Sequence, residues 1–127
     1  METAVICDTN IFIEIFRNNT DIEAVLVEIG IDNILVSDVV RAELFFGANN
    51  KRELNTIKKH LNSFTSLTIN TEISKKALKL VETYCLSQKL NLPDALIAAT
   101  AIFYNTALFT LNIKDFVYIP DLKLYLH

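Results

Sequence analysis

Thr3-Ala4-Val5-Ile6-Cys7-Asp8-Thr9-Asn10 is the stretch on which the fold turns. Its unbroken apolar run, Ala4 to Cys7, has no helical spacing and ends at a polar turn of Asp8, Thr9 and Asn10. It therefore predicts a short buried strand with an acid at its carboxyl end. Outward from it, Ile11 to Arg17 has helical character, and Asn18-Asn19-Thr20 breaks it. Asp21 is placed to cap a second helix with Ile22, Val25, Leu26 and Ile29 inward, and Gly30 to end it. Ile34 to Val36 predicts a second strand, and Ser37 a cap for a helix through Val39, Val40, Glu43, Leu44 and Phe45 to about Ala48.

The alternation continues to the end of the chain. Lys51 to Phe64 predicts a helix with Leu54, Ile57 and Leu61 on one stripe, and Leu67 to Ile69 a third strand. Thr71 is read as the cap of a long helix to about Lys89, with Ile73, Ala77, Leu80, Val81 and Tyr84 inward. Pro93 suits the first turn of a helix to about Tyr104, Ala107 to Thr110 a fourth strand, and Leu122 to Leu124 a fifth. Strands alternating with helices predict an α/β fold: a parallel sheet of four to five strands covered on both faces. A chain of 127 residues fits one such domain, spanning 1–127.

Composition narrows the class. Hydrophobic residues make up 51% and charged residues 21%, which supports a packed core rather than disorder. Two glycines and two prolines are too few for the many tight turns of an all-β chain. Met1 to Cys7 has no basic leader, and Ala95 to Tyr104, interrupted by Thr100, falls short of the ~20 residues of a membrane span. The expected setting is the cytoplasm, with Cys7 and Cys85 as buried, reduced thiols. Net charge is −3, so the chain is no basic coat for nucleic acid. Lys51-Arg52, Lys58-Lys59 and Lys75-Lys76 with Lys79 are expected on solvated helix faces.

Ligands of open parallel sheets bind at the carboxyl ends of the strands. Asp8 ends the first strand, Asn112 and Asp115 follow the fourth, and Glu43 lies two turns into the helix after the second. Asp94 opens a helix in which Ala95 to Phe103 carries no charge, a pattern that marks the helix as buried. Each acid has an ordinary alternative. Asp8 can cap the following helix, Asp94 can complement a helix dipole at ~0.3–1 kcal/mol, Glu43 can pair with Arg41 or Lys51, and Asp115 can be an exposed turn residue. Brought together, the four would repel one another unless a cation sat between them. Ligands that are all oxygen suit Mg²⁺ or Mn²⁺ rather than zinc, and His60 and His127 fall away from the acids, on the surface.

The order of motifs resembles a known family. Asp8-Thr9-Asn10, Arg41-Ala42-Glu43-Leu44 with Gly47-Ala48, Pro93-Asp94-Ala95-Leu96-Ile97-Ala98-Ala99-Thr100-Ala101 and Thr110-Leu111-Asn112-Ile113-Lys114-Asp115-Phe116 together resemble the PIN domain. Within that family they are most like the VapC-type toxins of toxin–antitoxin pairs, over about residues 3–124. The resemblance implies a three-layer α/β/α fold and a Mg²⁺- or Mn²⁺-dependent endoribonuclease whose metal is held by Asp8, Glu43 and Asp94. Asp115 is the favoured fourth acid, with Asn112 as a polar helper, and Thr9, Asn10 and Thr110 would orient carboxylates or water. It also implies an RNA substrate, a homodimer and inhibition by a cognate antitoxin. Gln88 to Leu92 departs from the many relatives that carry glycine there.

Two other readings stand beside it. A phosphatase of the haloacid dehalogenase type would use Asp8 as nucleophile, but it wants an aspartate two residues on, where this chain has Asn10. A degenerate PIN domain would bind without cutting.

Overall fold

A computed structural model describes residues 3–127, so Met1 and Glu2, which open the stretch read as lacking a leader, lie outside it. Ten regular elements follow in order. They are β1 (Val5–Cys7), α1 (Thr9–Phe16), α2 (Thr20–Ile29), β2 (Ile34–Ser37), α3 (Asp38–Phe46), α4 (Lys51–Leu61), β3 (Thr65–Leu67), α5 (Thr71–Gln88), α6 (Leu92–Phe103) and β4 (Ala107–Phe109). The strands form one parallel sheet in the order β3-β2-β1-β4, with helices packed on both faces in three layers.

The apolar run of β1 is central because every one of its residues is buried, which only an inner strand of a covered sheet allows. Val5 pairs with Ile34 on one side and Ala107 on the other, and Cys7 reaches Phe109. The chain runs outward from β1 through β2 to β3, then returns to place β4 on the opposite side of β1. That reversal lies between β1 and β4, and the crevice it opens at the strand ends is where such sheets bind ligands.

Several boundaries differ from expectation for local reasons. Asn19, not Asp21, caps α2, because its side chain accepts from the N–H groups of Asp21 (3.1 Å) and Ile22 (3.3 Å). Asn70, not Thr71, caps α5, accepting from Ile73 N–H at 2.9 Å. The third strand lies at Thr65–Leu67 rather than Leu67–Ile69. It is an edge strand with Thr65 and Ser66 exposed, so apolar pattern does not report its position. The expected fifth strand is one bridge between Leu108 and Leu124. Ser37 caps α3 as expected, and Gly30 ends α2 at φ 94°, where glycine costs least.

Cys7 is buried, but Cys85 is exposed, because it follows Tyr84 by one residue on α5 and so faces away from the stripe of Ile73, Ala77 and Leu80. His60 and His127 are exposed. Among the described residues no helix is long and apolar enough to cross a membrane.

Candidate functional site

Asp8 stands where β1 ends and α1 begins. Its Oδ1 accepts the Thr9 N–H at 2.8 Å, so the capping role is real. The other oxygen faces across the sheet: Oδ2 accepts from the Thr110 hydroxyl at 2.8 Å and from the Asn10 amide at 3.3 Å. Thr110 directly follows β4, and its Oγ1 also accepts the Asn112 N–H at 3.1 Å. Asn10 returns a second strap, its Oδ1 accepting the Leu111 N–H at 3.2 Å. Asp8, Asn10, Thr110 and Asn112 thus tie the two strand ends together across the crevice. Asn10 serves there as a bridging amide, with no proton to give as the acid that the phosphatase alternative requires.

Glu43 reaches the same place from α3. Its Oε1 accepts the Thr9 hydroxyl at 2.6 Å, a contact between residues 34 apart in sequence. The carboxylate is exposed and bonds neither Arg41, whose guanidinium donates to Ser66, nor Lys51. Asp94 enters in the first turn of α6, positioned by the Asn91 cap, which accepts its N–H at 3.2 Å. Ala95, Ala98, Ala99 and Ala101 bury that helix closely and leave Asp94 half-buried at its mouth. Among the described residues none donates to the Asp94 carboxylate. Asp115 ends a short 3₁₀ turn, Ile113–Asp115, held by its N–H to the Asn112 carbonyl at 3.0 Å, and is exposed.

The acids share one electrostatic field. Burial first, and then the charges of Asp8, Asp115 and Glu43, together push the Asp94 carboxyl up to about 6. Burial likewise raises Asp8, which is only 6% exposed. The bonds from Thr110 and Thr9 hold it down in part, while Glu43 and Asp115 act upward. Proximity is not coordination: among the described residues no three His, Cys, Asp or Glu side chains close on one point as they stand. Charge acts over a longer range than a metal bond, so the acids are neighbours in one crevice without a finished cage.

Two neighbours were not legible as part of this site. Burial raises the Tyr118 phenol, and Asp94 and Asp115 raise it further, so its proton stays on beside the acids. Cys7 is pushed up to about 12 by burial and the adjacent Asp8, which keeps the thiol neutral and inert. The hints in the sequence were that Cys7 directly precedes Asp8 and that Tyr118 follows Asp115 by three residues.

A cleft away from most of the acids stands out. It measures about 600 Å³ and lies beside α4, lined by Phe16, Arg52, Thr56, Ile57 and His60 among others. Through Phe16, Glu53 and Ile57 it joins a second cleft of about 300 Å³ that includes Ile13, Leu44, Gly47 and Glu43. The two form a groove between α1 and α4 that ends at one of the four carboxylates.

Known proteins resemble this chain in sequence and fold. The model of the PIN domain family matches residues 5–121. A protein of Rickettsia bellii named Ribonuclease VapC is 32% identical over 127 residues, covering 94% of this chain and 92% of that one. Among solved structures, a chain of a toxin–antitoxin complex from Klebsiella pneumoniae is 30% identical with a TM-score of 0.79, covering 94% of this chain and 95% of its own. A chain of VapBC-1 from nontypeable Haemophilus influenzae is 28% identical with a TM-score of 0.79, covering 96% of each.

Proposed function

Because the chain belongs to the PIN domain family, and within it to the VapC-type branch, we propose that it is a toxin endoribonuclease dependent on Mg²⁺ or Mn²⁺. The observation that carries the reading is Asp94, a carboxyl raised to about 6 by burial and by three neighbouring acids, with no donor from any described residue. Such a group is held at a cost unless something positive meets it. The donors on offer are carboxylate oxygens from Asp8, Glu43, Asp94 and Asp115, a set that fits a hard divalent cation.

When bound, the cation supplies an activated water for attack on phosphorus and offsets charge on the phosphoryl oxygens. The chain's own residues do the rest. Thr110, Asn10 and the Thr9 N–H fix the orientation of Asp8, so that carboxylate needs no rearrangement. Glu43 is exposed and held by a single hydroxyl, so it is the acid free to swing inward. The Asp94 backbone is fixed by its cap and by the packed alanines behind it. Asn112 bonds Thr110 through its N–H and leaves its side chain free to assist Asp115.

A cognate antitoxin and a homodimer belong to the same reading. The antitoxin is supported by the likeness to a chain solved within a toxin–antitoxin complex and by the apolar groove that leads to Glu43. A segment lying on Ile13, Phe16 and Ile57 would run directly to Glu43.

Asp94→Asn is expected to abolish cleavage of an RNA oligonucleotide in Mn²⁺ while circular dichroism and melting show an intact fold. Cleavage at the wild-type rate by this variant, or cleavage that survives excess chelator, would sink the reading.

A further inference from the structure

Beyond β4 the chain winds into a tight coil from Ile113 to Ile119. The N–H groups of Phe116 and Val117 donate to the Ile113 carbonyl at 3.0 and 2.9 Å. That of Ile119 donates to the Phe116 carbonyl at 3.0 Å. Residues three apart in such a coil share one side. Phe116 and Ile119 are accordingly both buried, and Lys114 and Val117 both exposed. The third row is Asp115 with the half-buried Tyr118, so this phenol lies on the side of a site acid.

The ring is fixed by a different element. It packs on Tyr84 of α5, with the two centroids 5.0 Å apart. The Tyr84 carbonyl in turn accepts the Lys89 and Leu90 N–H groups of the link between α5 and α6. The next residue, Asn91, caps α6 and holds the Asp94 N–H at 3.2 Å. Tyr118 therefore joins the turn of Asp115 to the link that sets Asp94. Burial, and then the charges of Asp94 and Asp115, keep the proton on its oxygen.

That proton is unspent. Thr9 and Thr110 give their hydroxyls to Glu43 and Asp8, and Asn10 gives its amide to Asp8 and Thr110. The Tyr118 hydroxyl donates to no described residue. A phosphate entering among four carboxylates needs donors as well as a cation, since its remaining oxygens would otherwise face negative charge. An ammonium or guanidinium in this place would be drawn onto the acids themselves. A neutral phenol keeps its proton for an arriving acceptor.

We infer that the Tyr118 hydroxyl is a substrate contact, donating to a non-bridging oxygen of the RNA phosphate held at the acids. This rests on the ribonuclease reading and adds to it a residue that touches the substrate.

The test uses the whole chain in Mn²⁺ with an RNA oligonucleotide. Tyr118→Phe keeps the ring on Tyr84 and removes only the hydroxyl, whereas Tyr118→Leu removes both. The phenylalanine variant is expected to lower kcat/KM about tenfold, the loss of one hydrogen bond to a charged group. Its Mn²⁺-induced rise in melting temperature is expected to match wild type, and the leucine variant to lose at least as much kcat/KM. An unchanged kcat/KM in Tyr118→Phe, with wild-type cleavage intact, overturns the contact alone, even if leucine is impaired, because only the ring would then matter. So does a phenylalanine variant that loses the Mn²⁺ effect as well, since the hydroxyl would then act on the acids and not on RNA. A wild-type chain that cuts no RNA overturns the ribonuclease reading and this inference with it.

Discussion

Thr110 does two jobs with one oxygen, and the one that reaches Asp8 does not show in its own sequence neighbourhood. Its hydroxyl donates to Asp8 at 2.8 Å and accepts from the Asn112 N–H at 3.1 Å, in a buried setting. Thr110→Val keeps the shape and removes both bonds, together with the longer one accepted from the Asn10 amide at 3.4 Å. It is expected to destabilise by about 1–3 kcal/mol, the cost of leaving a buried partner unsatisfied, and to raise the Asp8 carboxyl further because a lowering bond is lost. Denaturant melts of the two chains check the first effect, and a valine variant as stable as wild type would show that water replaces the hydroxyl. Asp94 gives the opposite sign. Its folded carboxyl sits at about 6, above the ordinary 3.8, so the folded state holds the proton more tightly. Stability from this group is full below about 3.8 and is lost as pH rises through about 6. In the absence of divalent cations, Asp94→Asn is therefore expected to stabilise the chain at pH 7 by on the order of 1 kcal/mol, after allowance for partial exposure. Melting temperatures at pH 4 and pH 7 test it, and the gain should be present only at the higher pH. Asp8 and Asp94 were legible as site candidates because strand ends and buried helix mouths are visible in a sequence. The Thr9–Glu43 and Asp8–Thr110 bonds were not, since each joins residues that only the packed sheet brings together.

At the scale of elements, the link between α5 and α6 sets where Asp94 stands. Lys89 ends α5 in the left-handed region at φ 59°, and its N–H bonds back to the Tyr84 carbonyl. This is the stretch where glycine was expected from resemblance and a lysine is found. A side chain there costs about 1–2 kcal/mol, while glycine would add freedom to the unfolded chain worth about 0.4–1 kcal/mol. Lys89→Gly is thus expected to stabilise by on the order of 0.5 kcal/mol, read as a higher denaturant midpoint with an unchanged slope. A lower midpoint would mean that the lysine side chain makes a contact of its own. Helices were readable where apolar spacing was long and regular, as in α5, or where a whole helix was apolar, as in α6. Caps were harder, because in Asn19-Thr20-Asp21 and Asn70-Thr71 several residues can all accept a backbone N–H. The edge strand was displaced for a related reason: Thr65 and Ser66 earn their place by hydrogen bonds to β2 and not by burial.

At the scale of the molecule, the sheet order β3-β2-β1-β4 followed from no single segment, since alternation predicts parallel strands without saying which neighbours which. That order decides the chemistry, because only β1 beside β4 lets Asp8 meet Thr110. We propose that residues 1–127 unfold as one cooperative domain, with equal calorimetric and van't Hoff enthalpies as the check. The proposed cation would then link site to stability. An ion that binds the folded chain at about 100 times its dissociation constant stabilises it by about 2.7 kcal/mol. To bind, it must displace the proton from Asp94, held to about pH 6, so affinity falls below that pH and levels off above it. Mn²⁺ is accordingly expected to raise the melting temperature clearly at pH 7.5 and far less at pH 5. Asp94→Asn should remove most of the rise at pH 7.5, while Lys89→Gly should leave it untouched. A rise of equal size at both pH values would place the ion away from Asp94, and no rise at pH 7.5 would leave the four carboxylates without the partner that their mutual repulsion requires.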